Sequence, residues 1–173
     1  MASTAPVIVV MGVSGCGKST IGSALAERLG CPFLEGDDFH PSENKVKMGD
    51  GIPLNDHDRK GWFTSIRDAL EKESNLVIVS CSALKQKYRD FFSELQRPVV
   101  YLHLTGDRSL LEERIENRSG HFFDTKLLDS QIETLELPTD DELAVSIEIS
   151  DTVENIVNCC VHGLKAYLPA SPR

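Results

Sequence analysis

Residues Gly12 to Ser19 read GVSGCGKS and fit the pattern G-x-x-x-x-G-K-[ST]. A glycine-rich turn that runs into a helix aims successive backbone N–H groups at one point, and the helix N-terminus adds its positive end. That arrangement holds phosphates. Lys18 is expected to reach the β- and γ-phosphates and the Ser19 hydroxyl to ligate Mg²⁺. The nucleotide site read from the motif is therefore Gly12, Val13, Ser14, Gly15, Cys16, Gly17, Lys18, Ser19 and Thr20, with ATP and Mg²⁺ as the implied cofactors. A tight connecting turn is the plainer alternative, and it has no need of the lysine.

A second cluster lies farther along. EGDDFHPSEN (35–44) crowds four carboxylates, a histidine and an asparagine into ten residues directly after the apolar CPFL. A carboxylate at the end of a strand can take a proton from an attacking hydroxyl or orient Mg²⁺-bound water, and Asp37 is expected to do one of these. For Asp38 a turn or helix cap is an equally good explanation. His40 divides evenly between a packing role and a hydrogen bond to substrate. A third set is Arg114 and Arg118, four residues apart and so on one helical face, ahead of the glycine-centred RSGHFFD (118–124). Arginines beside a hinged segment can close over ATP and neutralise charge on the transferring phosphoryl group. A solvent-facing pair is the alternative.

These groups need elements to hold them. VIVVM (7–11) is a continuous apolar run, as expected of a parallel strand covered on both faces. STIGSALAERLG follows with Ile21, Leu25 and Leu29 on one helical stripe and Gly30 as its stop. CPFLEG, LVIV (76–79) and VVYLHL (99–104) read as further strands. NDHDRKGWFTSIRDALEKE reads as a helix capped by Asn55, with Trp62, Ile66 and Leu70 buried. LKQKYRDFFSEL, a segment from about Asp107, one bearing Leu128, Ile132 and Leu135, and a final segment read as helices; ELAVSIEIS alternates like an edge strand. The residues between His40 and Asn55 read as a polar connector. This alternation predicts one doubly wound α/β domain over residues 1–173 with a mostly parallel sheet.

Composition narrows the partners. A net charge of −9 with pI near 5.0 gives no global basic footprint for nucleic acid. No apolar run reaches the roughly 20 residues of a membrane span, and MASTAP has no basic leader character. The five cysteines are odd in number and include no C-x-x-C, which suits reduced thiols in the cytoplasm. A switch GTPase is disfavoured: DRKG (58–61) matches D-x-x-G but follows no hydrophobic strand, and NKVK (44–47) ends in lysine where a guanine-reading motif needs aspartate.

GVSGCGKST, GDDFHPSENKVKMGDGIPLNDHDRKGW, CSALKQKYRD and RSGHFFDTKLLDSQIETLE together resemble the small P-loop gluconokinases, over about residues 7–149. The resemblance implies a nucleoside-monophosphate/shikimate-kinase-type fold: a five-stranded parallel sheet flanked by helices, with a short lid over about residues 117–126. It implies ATP-dependent phosphorylation of D-gluconate to 6-phospho-D-gluconate, which feeds the pentose phosphate pathway, and a homodimer. Carried onto this chain, Lys18, Asp37 and Arg118 are expected to be catalytic, Arg114 and Arg118 to meet ATP, and Ser19 and Asp37 to serve Mg²⁺. Arg59 and Lys85 are candidates for the gluconate carboxylate and hydroxyls, with Asp37, Asp38, His40 and Gln131 on the hydroxyls. Another small-molecule kinase of shikimate or nucleotide type, or a P-loop switch NTPase, is the alternative.

Overall fold

The structure is a computed structural model and describes residues 5–119 and 125–170. Five strands, β1 (Val7–Met11), β2 (Phe33–Glu35), β3 (Val77–Ser80), β4 (Val99–Thr105) and β5 (Leu143–Glu148), form one sheet in the order β2-β3-β1-β4-β5. Every pairing is parallel. Seven α-helices flank it among the described residues: α1 (Lys18–Leu29), α2 (Ser42–Gly49), α3 (Asp56–Glu71), α4 (Gln86–Ser93), α5 (Arg108–Ser119), α6 (Thr125–Thr134) and α7 (Val153–Leu164).

Period-two alternation splits the strand side chains between two cores. Ile8, Val10, Ile78, Val100 and Leu102 pack with Ile21 and Leu25 of α1 and with Ile156, Val157 and Leu164 of α7. Val7, Val9, Met11, Val77 and Val79 pack on the other face with Trp62, Phe63, Ile66 and Leu70 of α3 and Phe92 of α4. Every residue of β1 is fully buried, which is why its sequence carries no polar face. Each such side chain removed from water contributes roughly 1.5–3 kcal/mol before entropy is counted. In the edge strand β5 Ile147 is buried between the exposed Ser146 and Glu148, as its alternation predicts.

Helix ends follow the expected chemistry. Gly30 closes α1 at φ 65° and donates its N–H to the Ala26 and Glu27 carbonyls. Asn55 caps α3 in a reciprocal capping box with Asp58. DRKG therefore lies in the first turns of α3 and not at the end of a strand. Two local expectations change. The polar connector contains α2, whose only fully buried residue is Asn44, so no apolar stripe marks it. Ile132 in α6 is exposed beside the buried Leu128, while Leu135 lies just past the helix end.

All parallel strands point the same way, so their carboxyl ends share one rim, where open α/β sheets bind ligands. Met11 leads there into the glycine turn, Glu35 into a 3₁₀ turn over Gly36–Phe39, and Ser80 into the loop that reaches α4 at Gln86.

Candidate active site

The glycine turn has the backbone that its sequence requires. Gly12, Gly15 and Gly17 have φ of 146°, 84° and 90°. At Gly15 an added Cβ would also lie 2.8 Å from the Ile115 side chain and 2.9 Å from the Leu111 carbonyl, so α5 packs directly on the turn. Lys18 Nζ donates to the carbonyls of Gly12 at 3.0 Å and Val13 at 3.2 Å, which folds the ammonium back across the turn. Cys16 is buried beneath it, and burial pushes its thiol pKa up despite the nearby Lys18, so it acts as packing.

A cleft of about 740 Å³ opens over this turn. Ser14, Gly15, Gly17, Lys18, Ser19 and Thr20 form its floor, and Arg114, Arg118 and Gln131 reach it from α5 and α6. Arg114 and Arg118 thus share the face their spacing predicts. Arg114 is half-buried and donates to the Ile149 carbonyl at 2.5 Å, while Arg118 is exposed. Gln131 sits closer to the phosphate turn than a pure hydroxyl reader would: its Oε1 accepts from the Ser14 N–H at 2.7 Å. Of the lid segment, Gly120, His121, Phe122 and Phe123 lie outside the described residues.

The acidic stretch supplies the opposite wall. Asp37 lines the cleft from the 3₁₀ turn, and its side chain is 83% exposed. Asp38 is exposed on the same turn and does not line the cleft. Glu35 does line it, a placement the sequence left unassigned. In the β2–β3 register Glu35 stands opposite Ser80, and the Ser80 hydroxyl donates to Glu35 Oε1 at 2.5 Å. The same hydroxyl accepts from the Gly36 N–H at 3.1 Å, and the Gly36 carbonyl accepts from Trp62 Nε1 at 2.7 Å. The turn bearing Asp37 is therefore fixed to β3 and α3 together.

A row of rings leads away from this turn. His40 stacks on Trp62 at 4.1 Å, Trp62 meets Phe63 at 4.7 Å, and Phe63 stacks on Tyr88 at 5.2 Å. Three cations surround the Tyr88 ring: Arg59 at 5.5 Å, Lys85 at 5.8 Å and Lys87 at 5.5 Å. Asp56 takes Lys87 at 2.5 Å and accepts from the Tyr88 hydroxyl at 2.8 Å. Arg59 and Lys85 form no ion pair among the described residues. The two cations predicted for an anionic substrate thus converge on one ring. Tyr88, which no sequence motif singles out, brings them together.

The loop carrying Lys85 is held by a buried clamp. Ala83 has φ 44°, a left-handed conformation that costs a non-glycine residue of order 1 kcal/mol or more. Arg89, 1% exposed, donates to the Ala83 carbonyl at 2.9 Å and forks onto Glu142 at 2.7 and 3.2 Å. Glu136 adds a second attachment: its N–H donates to the Leu84 carbonyl at 2.7 Å, and its carboxylate accepts from the Gln86 N–H at 2.8 Å.

Comparison with known proteins fits this geometry. The shikimate kinase family model matches residues 14–150. The chain is 47% identical to a probable gluconokinase of Dictyostelium discoideum, over 92% of this chain and 86% of the relative. It is 40% identical to the thermoresistant gluconokinase of Escherichia coli K12, over 92% and 93% of the two. The crystal structure of a gluconokinase from Sinorhizobium meliloti 1021 superposes with a TM-score of 0.84 at 43% identity, covering 96% of this chain and 95% of that one. A shikimate kinase of Aquifex aeolicus, at 18% identity and TM-score 0.58, shares the fold. With a P-loop facing an acidic turn and a cation pair beyond it, on a shikimate-kinase-type sheet, this chain belongs to the gluconokinase family.

Proposed function

We propose that the protein transfers the γ-phosphoryl group of Mg·ATP to the primary hydroxyl of D-gluconate, giving 6-phospho-D-gluconate and ADP. The observation that carries this is that the phosphate turn and Asp37 line one cleft, and a row of rings from His40 to Tyr88 leads from the Asp37 turn to Arg59 and Lys85. Gluconate is an anion with a chain of hydroxyls, and it fits that arrangement with its carboxylate on the cations and its far hydroxyl at Asp37. An arginine fork matches a carboxylate geometrically.

In this mechanism the substrate oxygen attacks the γ-phosphorus in line while its proton passes to the Asp37 carboxylate. Lys18 and the backbone amides of the turn hold the phosphates, and Arg114 and Arg118 meet charge on the transferring group. His40 stands beside Asp37 at the acceptor end, while Asp38, exposed on the same turn, lies outside the cleft. Gln131 holds the Ser14 amide at the mouth of the phosphate turn and, in this reading, also serves an acceptor hydroxyl. Hard oxygen donors suit Mg²⁺, and Ser19, Asp37 and Glu35 supply them in this cleft. Bound there, Mg²⁺ would neutralise phosphate charge. Family resemblance supports a cytoplasmic homodimer, and no helix of the described residues is long and apolar enough to cross a membrane.

ADP release measured against a panel of acceptors tests the proposal. D-gluconate should turn over rapidly, with little release from glucose, which lacks the carboxylate, or from shikimate and AMP. Preference for shikimate or AMP would overturn the acceptor assignment, and hydrolysis indifferent to every acceptor would overturn the kinase.

A further inference from the structure

Asn44 is a buried polar residue, 3% exposed, on a helix with no apolar stripe. Its Nδ2 lies 3.0 Å from the Asp58 carbonyl oxygen. A backbone carbonyl only accepts, so the atom facing it is the amide nitrogen and the orientation of the side chain is fixed. The same nitrogen lies 3.3 Å from His40 Nδ1. A ring nitrogen facing that donor must accept, so the proton of the neutral imidazole resides on Nε2. Nε2 is the atom turned toward Asp37, 3.9 Å from its Oδ1.

The ring has little freedom to turn elsewhere. It is stacked on Trp62 at 17° between planes, and Trp62 is anchored on the carbonyl of Gly36, the residue before Asp37. Burial is the main influence on His40 and keeps it neutral; Arg59 and Lys45 act in the same direction, and Asp37 opposes them.

We propose that Asn44 is a positioning residue for phosphoryl transfer: it locks His40 as the Nε2–H tautomer, and that N–H steadies the ionised Asp37 carboxylate at the acceptor hydroxyl. The inference rests on Asp37 being the base of the proposed reaction. The 3.9 Å separation is longer than a hydrogen bond, so the proposal requires the exposed Asp37 side chain to turn toward Nε2 when the acceptor binds. His40 then acts through Asp37 and does not read substrate itself.

Two measurements test this. Two-bond ¹H–¹⁵N spectra of the full-length protein, with His40 assigned by its loss in His40→Phe, should show a protonated Nε2 and a bare Nδ1. The opposite tautomer would overturn the proposal. In kinetics, His40→Phe keeps a ring on Trp62 but removes the donor. A hydrogen bond to a charged group lost in this way should lower kcat about tenfold or more. Asn44→Leu should act in the same direction, with KM for ATP unchanged in both. A raised KM for gluconate with kcat unchanged would make His40 a direct hydroxyl reader and sink the idea. Asp37→Asn is measured in parallel. If it loses kcat while His40→Phe does not, the base stands and this inference falls; if it keeps kcat, the base assignment itself falls.

Discussion

Gly36→Ala is the most demanding test of how the acidic turn is held. An added Cβ would sit 1.9 Å from the Ser80 carbonyl oxygen and 3.1 Å from its carbon. Ordinary carbon–oxygen contact begins near ~3.3 Å, so the two segments must part by about 1.4 Å. The obstacle is backbone, which no side-chain rotation relieves, and Gly36 is not among the positive-φ glycines, so the cost is purely steric. Parting them breaks the Gly36 N–H bond to Ser80 and the Trp62 bond to the Gly36 carbonyl. At about 1 kcal/mol for each bond and about 1–3 kcal/mol for overpacking, the loss is roughly 3–5 kcal/mol. A chain of this length has an unfolding entropy near ~360 cal/mol/K, so Tm should fall by about 8–14 °C. Asp37 is the next residue, and a displacement of about 1 Å at a reacting group can cost ~10²-fold in rate. Thermal unfolding by circular dichroism and ADP release on the same sample would show both effects. A Tm within about 2 °C of wild type, with kcat intact, would refute the reasoning.

Lys18→Ala should abolish turnover, because the phosphates lose their closest fixed cation; folded protein turning over near the wild-type rate would sink the phosphate-site assignment. Arg118→Ala should lower kcat far more than it raises the gluconate KM, since the charge it meets grows during transfer; the reverse split in steady-state kinetics would place it with the acceptor. Acid stability should depend on Glu142. Burial works against its ionised form, but donation from Arg89 and Thr139 outweighs this and holds the carboxyl below its ordinary 4.5. The unfolded chain therefore takes up the proton first. The stabilisation is complete above about pH 4.5 and fades as pH falls through the lower folded value. Urea midpoints should drop less steeply below that pH in Glu142→Gln than in wild type, and equal slopes would count against the pairing.

Much of the fold was legible because its signals are local. β1, β3 and β4 are runs of apolar residues covered on both faces, and the Asn55 cap and the Gly30 stop act within a few residues of themselves. The phosphate turn was legible for the same reason. α2 escaped because its register is set by one buried asparagine, while Val46 and Met48 face solvent. Glu35 escaped because its partner Ser80 is 45 residues away and meets it only through the β2–β3 register. Tyr88 was hidden likewise, since what distinguishes it is the convergence of cations from α3 and α4 on its ring. Gln131 could be proposed from the resemblance, but its bond to Ser14 spans 117 residues and no local pattern encodes it.

The clamp between Arg89 and Glu142 has a consequence for how such sequences diverge. The arginine side chain is 0% and the glutamate 14% exposed, and 53 residues separate them along the chain. Replacing either alone strands a buried charge, at about 3–5 kcal/mol, a large share of a typical domain's stability. Replacing both with apolar groups removes the charges but leaves the Ala83 carbonyl without its Arg89 donor, and Ala83 loses the group that holds its left-handed backbone. Escape would take a third change, a glycine at residue 83. Descendants that keep the enzyme active are thus expected to inherit Arg89 and Glu142 as one unit, or to change residue 83 along with both.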